Sequence, residues 1–272
     1  MSQNAVTKQD IRRVKAGIIT DTEDLLATEE PLEIRLVYGP LHTKKNLAVT
    51  MRTPGNDEEL AIGFLYTEGI ISKAEDIASC TQLNDNVVQV TLAAGCTPDL
   101  NSTERNFYTT SSCGVCGKAS IDAIKTECAI YDKAPPFTIP ASLIYTLPSI
   151  LREQQSMFRE TGGIHGAALF DLSGRVMLVR EDVGRHNAMD KLVGAALRSD
   201  LIPLQQHILL LSGRASFELV QKATMAGLKV IVSVGAPSSL AVQTADEFGI
   251  TLAGFAKEDR FNIYCGSERI TT

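Results

Sequence analysis

No apolar run approaches the length of a membrane span. The first twenty residues, MSQNAVTKQDIRRVKAGIIT, mix charge with apolar side chains and have no continuous apolar core of the kind a signal peptide carries. A membrane protein is thereby excluded as an expectation, and the cytoplasm is the expected compartment. Basic residues are also in deficit. Against 32 acidic residues stand 26 lysines and arginines, a formal net charge of -6, which argues against a protein that tracks nucleic-acid phosphates along an extended basic face. Cysteine is sparse too: six in 272 residues do not make a disulfide framework. Four of them, Cys80, Cys96, Cys128 and Cys265, are scattered singly and read as small buried hydrophobes.

What is present is an ordinary globular composition, 44% hydrophobic and 21% charged, long enough for one large domain or two smaller ones. After a polar amino-terminal arm, Leu32, Ile34, Leu36 and Tyr38 alternate with polar residues at the period of a half-buried strand, and Asn46 to Met51 reads as a second. A turn at Thr53-Pro54-Gly55-Asn56-Asp57 leads to helical spacing at Leu60, Ala61, Phe64 and Leu65, ended by Gly69, and Val87 to Leu92 reads as a further strand. These describe a small α+β region, residues 1–135. The proline-rich stretch from Pro135 to Pro140 marks the expected boundary, and 136–272 forms an α/β domain. There Ile208 to Leu211, Val230 to Val234 and Ile250 to Phe255 alternate with helices stopped by Gly227 and Gly249, a βαβαβ pattern with a partly parallel sheet. Its strand-to-helix loops are expected to open on one sheet edge, where ligands of such sheets sit.

The polar stretch Asn101 to Ser112 reads as a loop presenting Cys113-Gly114-Val115-Cys116-Gly117-Lys118, ahead of a helix marked by Ile121, Ile124 and Cys128. Two thiols two residues apart, beside a lysine and a helix start, favour thiolate. Three chemistries compete. Zinc needs a second ligand pair, which is missing; a deaminase site needs His-x-Glu, whereas His165-Gly166-Ala167 has no glutamate. A dithiol oxidoreductase expects a strand immediately before the pair, where the chain is polar instead. Sulfur carriage needs a nucleophilic thiolate able to hold a persulfide, with the second cysteine able to receive or resolve it.

Further polar residues carry two readings each. His165 follows a Thr-Gly-Gly turn and is either a structural histidine or a ligand contact. Glu181, Asp182, Arg185 and His186 suit a pocket wall or an interdomain network, with Arg185 and His186 favoured as ligand contacts. Arg214 and Ser216 lie at a strand-to-helix turn able to bind phosphate, although Ser216 is equally placed to cap the helix.

From Glu30-Pro31-Leu32 to Asn262-Ile263-Tyr264 the chain resembles the formate dehydrogenase accessory sulfurtransferases, the FdhD family. The resemblance rests on Met51-Arg52-Thr53-Pro54-Gly55 with Glu58 to Phe64, Ser112 to Lys118, Thr161-Gly162-Gly163-Ile164-His165, Arg180 to Asn187 with Asp190-Lys191, and Ser212-Gly213-Arg214 with Ser216-Phe217-Glu218. It implies that a cysteine desulfurase supplies sulfur, that Cys113 carries it as persulfide with Cys116 as relay, and that it reaches a bound molybdenum bis(molybdopterin guanine dinucleotide) cofactor for the formate dehydrogenase catalytic subunit. It also implies a homodimer. The guanine end is expected at Phe255, Ala256, Lys257, Glu258, Asp259 and Arg260, with guanine nucleotides as surrogates and Lys257 or Arg260 meeting their charge. By the same resemblance the carboxy-terminal half has a three-layer, cytidine-deaminase-like fold without zinc. Alternatives are a non-enzymatic cofactor chaperone and a dithiol oxidoreductase. Gly166 departs from the pattern, which leads one to expect alanine there.

Overall fold

The alternation at 32–38 builds a sheet strand because one side of it meets a helix. The computed structural model describes residues 5–98, 100 and 135–272. In it β3 (Glu30–Tyr38) pairs antiparallel with β4 (Thr43–Arg52) and parallel with β6 (Val87–Leu92), and β5 (Ile77–Asn84) completes a four-stranded sheet in the order β4-β3-β6-β5. The expected loop at 101–112, the cysteine pair and its helix lie outside the described residues.

The amino-terminal stretch is not an arm. β1 (Val6–Lys15) and β2 (Ile18–Ala27) form an antiparallel hairpin turning at Ala16-Gly17, both at positive φ, as a two-residue hairpin loop requires. Its strands carry no apolar stripe. They are held in register partly by opposite charges facing across it, Lys8 to Glu23 at 3.6 Å and Arg12 to Asp21 at 3.4 Å, a pattern that reads as polar chain in sequence.

Helix α1 (Asp57–Thr67) covers the four-stranded sheet and joins it to the rest. After β7 (Ile139–Pro140), α2 (Ala141–Gln154) and α3 (Ser156–Thr161) lead into β8 (His165–Asp171), β9 (Val176–Asp182) and α4 (Arg185–Arg198). The expected alternation follows: β10 (His207–Leu211), α5 (Phe217–Met225), β11 (Val230–Ser233), α6 (Ser239–Glu247) and β12 (Thr251–Gly254), then β13 (Asn262–Cys265) and β14 (Ile270–Thr271). Six strands form one mixed sheet in the order β13-β12-β11-β10-β8-β9, with β10, β11 and β12 parallel.

Side chains alternate across these strands, so each face of the sheet has its own core. Leu209, Leu211, Ile231 and Leu252 pack toward α4, α5 and α6, in a core that runs on through α1 to Leu32, Ile34 and Val88 of the four-stranded sheet. Ile208, Leu210, Val230 and Val232 face the other way, onto Ile144, Leu147 and Leu151 of α2. The result is a mixed α/β protein whose larger sheet has helices on both faces.

α1 meets α4 at two glycines. A Cβ on Gly63 would stand 2.6 Å from the carbonyl carbon of Asp190 and 2.8 Å from the nitrogen of Gly194, so the helices touch backbone to backbone. Around this contact sits a buried ionic network: the Nζ of Lys222 on α5 is 3.0 Å from Asp190 and 3.0 Å from Glu68, and Thr67 donates to Asp190 at 2.8 Å.

Candidate functional site at the sheet edge

Strands β10, β11 and β12 end at the same edge, and because β8 runs antiparallel to β10 it begins there. His165, the first residue of β8, pairs with Asp182, the last of β9. Five chain ends therefore converge, and their loops are laced by backbone hydrogen bonds. Gly235 donates to Gly213 at 3.0 Å, Phe255 to Gly235 at 3.1 Å and Ala256 to Ser233 at 3.1 Å, while Gly166 donates to the Ser212 hydroxyl at 2.8 Å. Gly235 is required: a Cβ there would come within 3.0 Å of the Arg214 backbone. Such lacing fixes the loops as a rigid frame.

Beside that frame lies a cavity of about 1020 Å3, enough for a nucleotide-sized ligand. His165, Ser212, Ala256, Lys257, Glu258 and Asp259 line it from the sheet edge, and Pro148, Arg152, Gln155 and Phe158 from α2 and α3. Five of the eleven residues expected to contact cofactor are thus brought together: His165, Ala256, Lys257, Glu258 and Asp259. Phe255 and Arg260 are exposed beside it but do not line it. Sequence reasoning did not find the helical wall, because nothing in the local pattern of α2 tells which of its residues will face β8 across the sheet.

Arg185, His186 and Ser216 form a second group at the start of α4. His186 Nε2 lies 3.3 Å from the Ser216 hydroxyl and 3.8 Å from Glu218. Ser216 holds the N-cap position of α5 without making a side-chain cap bond, so its expected capping role gives way to the histidine contact. Burial, and then the positive charges of Lys222 and Arg185, push the His186 pKa down to about 4 against the opposing pull of Glu218. At neutral pH the contact with Glu218 is therefore not an ion pair. His165 is also held low, first by burial and then by Arg185, with Asp182 opposing, so it faces the cavity as a neutral imidazole. Arg214 is exposed at its turn.

The acidic pair Glu181-Asp182 turns out to be framework. Asp182 is fully buried, 2.7 Å from Lys191 Nζ, and accepts from the backbone of Thr53 and Gly184. Lys191 also donates to the Thr53 carbonyl, tying the β4–α1 loop to the site. Glu181 accepts from the backbone N–H groups of Met157 and Phe158, satisfying the free donors at the start of α3.

Among the described cysteines, Cys80, Cys96 and Cys265 are free and partly buried against the core. Burial pushes the Cys80 thiol up to about 12 and raises those of Cys96 and Cys265. All three are protonated at neutral pH and poor nucleophiles.

Fold and site together define a mixed α/β protein with a preformed, polar-rimmed cavity at the carboxyl edge of its larger sheet. The sequence pattern of the FdhD/NarQ family matches residues 27–271, and the chain belongs to that family. It is 50% identical to the sulfur carrier protein FdhD of Mycolicibacterium paratuberculosis, over 97% of this chain and 98% of that one. To the protein of the same name from Sulfolobus acidocaldarius it is 42% identical, over 97% and 98%. The crystal structure of a protein described as a formate dehydrogenase accessory protein, from Desulfotalea psychrophila, superimposes with a TM-score of 0.75 at 23% identity, covering 98% of this chain and all of that one. That likeness establishes the shared fold.

Proposed function

We propose that this protein is a sulfur carrier in formate dehydrogenase maturation, taking sulfane sulfur on Cys113 and delivering it to a molybdenum bis(molybdopterin guanine dinucleotide) substrate held in the sheet-edge cavity. The observation that carries the reading is near full-length identity of up to 50% with proteins named sulfur carriers, joined to a cavity of nucleotide size. The partly buried thiols Cys80, Cys96 and Cys265 are too poorly ionised for the task, which favours the Cys113/Cys116 pair with its nearby Lys118.

The chemistry balances within the pair. A Cys113 thiolate attacks the sulfane sulfur of a cysteine desulfurase persulfide, breaking the donor's S–S bond, releasing its thiolate and forming the Cys113 persulfide without net oxidation. Attack on the Cys113 sulfur by Cys116, or less efficiently by an external thiol in its place, then forms a disulfide with Cys113 and releases HS⁻ to the substrate, the two thiols supplying the two electrons; an external dithiol reduces that disulfide before the next turnover. The reading includes a cytoplasmic homodimer. It also takes the carboxy-terminal layers as a cytidine-deaminase-like arrangement without its zinc chemistry, since His165-Gly166-Ala167 offers no glutamate as proton shuttle. Among the described residues no helix is long and apolar enough to cross a membrane.

Guanine is the base the cavity favours. Glu258 and Asp259 repel phosphate but accept from the N1–H and N2 amino group of guanine, an edge adenine does not present, while Lys257, Arg152 and the neighbouring Arg260 meet the phosphates. One hydrogen bond to a carboxylate contributes about 1.5–3 kcal/mol, so guanosine diphosphate binds at least tenfold tighter than adenosine diphosphate. Calorimetry giving equal affinities for the two diphosphates, or no loss on Arg260→Ala, counts against the placement of the nucleotide pocket. Labelled sulfur from a desulfurase tests the carrier role: Cys113→Ala abolishes transfer with nucleotide binding intact, and Cys116→Ala weakens it. Full transfer by the double variant removes the persulfide route.

A further inference from the structure

Gln155 joins α2 to α3. Its backbone N–H donates to Leu151 at 3.0 Å and its carbonyl accepts from Arg159 at 3.2 Å, so its main chain is committed to the two helices. The side chain is only 4% exposed and lines the cavity, yet its Nε2 has no hydrogen-bond partner among the described residues. A buried amide without a partner is a standing cost to the fold, and an apolar side chain of the same shape would avoid it.

Gly166 explains how the amide fits. A Cβ at this position would lie 2.6 Å from Gln155 Nε2 and 2.8 Å from its Cδ, so the space an alanine methyl would fill is taken by the carboxamide. The backbone N–H of Gly166 is bound to the Ser212 hydroxyl at 2.8 Å, which fixes this point of β8 beside the amide. Glycine and glutamine form one device: the first makes room on β8 for the head of the second.

We infer that Gln155, seated against Gly166, is a specificity-determining donor for the 2-amino-4-oxo ring of the ligand. A turn about its terminal torsion brings the NH₂ group to the carbonyl oxygen of that ring and the nearby nitrogen of the ring fused to it, N7 of guanine or N5 of an oxidised pterin, an acceptor pair that guanine and neopterin share. Glu258 and Asp259, lining the same cavity, accept from the N–H edge. The ring is then read on two edges by groups of opposite hydrogen-bonding character, and binding supplies the partner that the free amide lacks. This rests on the reading of the cavity as a site for guanine- and pterin-bearing substrate.

The test uses the full-length protein, with guanosine diphosphate and neopterin as separate probes in calorimetry. Gln155→Leu removes the donor and the unpaired amide together. It weakens one of the two probes about tenfold while raising the melting temperature of the ligand-free protein by about 2–4 °C. Gly166→Ala displaces only the far end of a flexible side chain, and it weakens the same probe to a similar degree. Selective loss of guanosine diphosphate assigns the donor to guanine; selective loss of neopterin assigns it to the pterin. Wild-type binding of both probes by both variants overturns the inference while leaving the functional reading in place. A Gln155→Leu protein that loses stability along with affinity, beside a Gly166→Ala protein that binds normally, reduces Gln155 to a structural residue and also overturns it. Failure of the unaltered protein to bind either probe removes the functional reading and this inference with it.

Discussion

Replacing Gly63 by alanine tests whether the contact between α1 and α4 holds the two sheets together. The methyl would overlap the carbonyl oxygen of Asp190 and stand 2.6 Å from its carbonyl carbon and 2.8 Å from the Gly194 nitrogen, all tighter than ordinary contact, which begins at 3.4 Å. None of these atoms belongs to a flexible side chain, so relief requires the helices to part by more than about 1 Å, loosening the core that Leu60, Ile62, Leu192 and Val193 share. Overpacking of this kind costs about 3 kcal/mol, the upper end of the usual range, because the displaced atoms are backbone. Alanine recovers about 1 kcal/mol of helix propensity over glycine, leaving a net loss of about 2 kcal/mol. In a protein of this size that lowers the melting temperature by roughly 4–8 °C, measurable by calorimetry or circular dichroism. Gly194→Ala makes the reciprocal clash, 2.8 Å from the carbonyl carbon of Glu59. One separation of the helices relieves both, so the double variant loses less than the sum of the singles. A Gly63→Ala protein that melts at or above the unaltered temperature, as propensity alone predicts, refutes the reasoning.

Lys191→Met leaves Asp182 fully buried without its cation, and urea unfolding should show a loss of about 3–5 kcal/mol; a loss under about 1 kcal/mol would remove the pair from the framework. In a proton NMR titration His186 takes up its proton at about pH 4, and Glu218→Gln, which deletes the one attraction to the imidazolium, lowers the midpoint further; a midpoint at or above 6.5 contradicts the burial argument. Because unfolded histidine binds its proton near 6.5, this residue's contribution is intact above that pH and drains away as pH falls from 6.5 toward 4. Metal analysis of purified protein finds no stoichiometric zinc, since no second ligand pair accompanies Cys113 and Cys116; one tightly held zinc per chain refutes that expectation.

Local chemistry alone made much of this protein legible. Periodicity at 32–38, 87–92, 208–211 and 230–234 marks strands because a half-buried or buried strand must show apolar side chains at fixed intervals, and Gly227 and Gly249 mark helix ends because both sit at positive φ. The spacing of Cys113 and Cys116 is covalent and needs no fold to be recognised. Where charge replaced hydrophobicity the signal vanished: the β1–β2 hairpin is held by its backbone ladder with exposed opposite charges facing across it, and reads as polar chain. Tertiary structure alone decided what equivalent-looking residues do. Glu181 and Asp182 are neighbours of like charge, yet one satisfies the start of α3 and the other neutralises a buried lysine, because successive side chains on a strand point to opposite faces. His165 and His186 are the same residue type, yet the second lies more deeply among cations. The cavity itself was beyond the reach of sequence, since α2 comes onto the sheet only through long-range packing of Ile144, Leu147 and Leu151 with residues such as Ile208, Leu210 and Val232, and that packing seats Gln155 against Gly166 on a wall of the cavity that Glu258 and Asp259 also line.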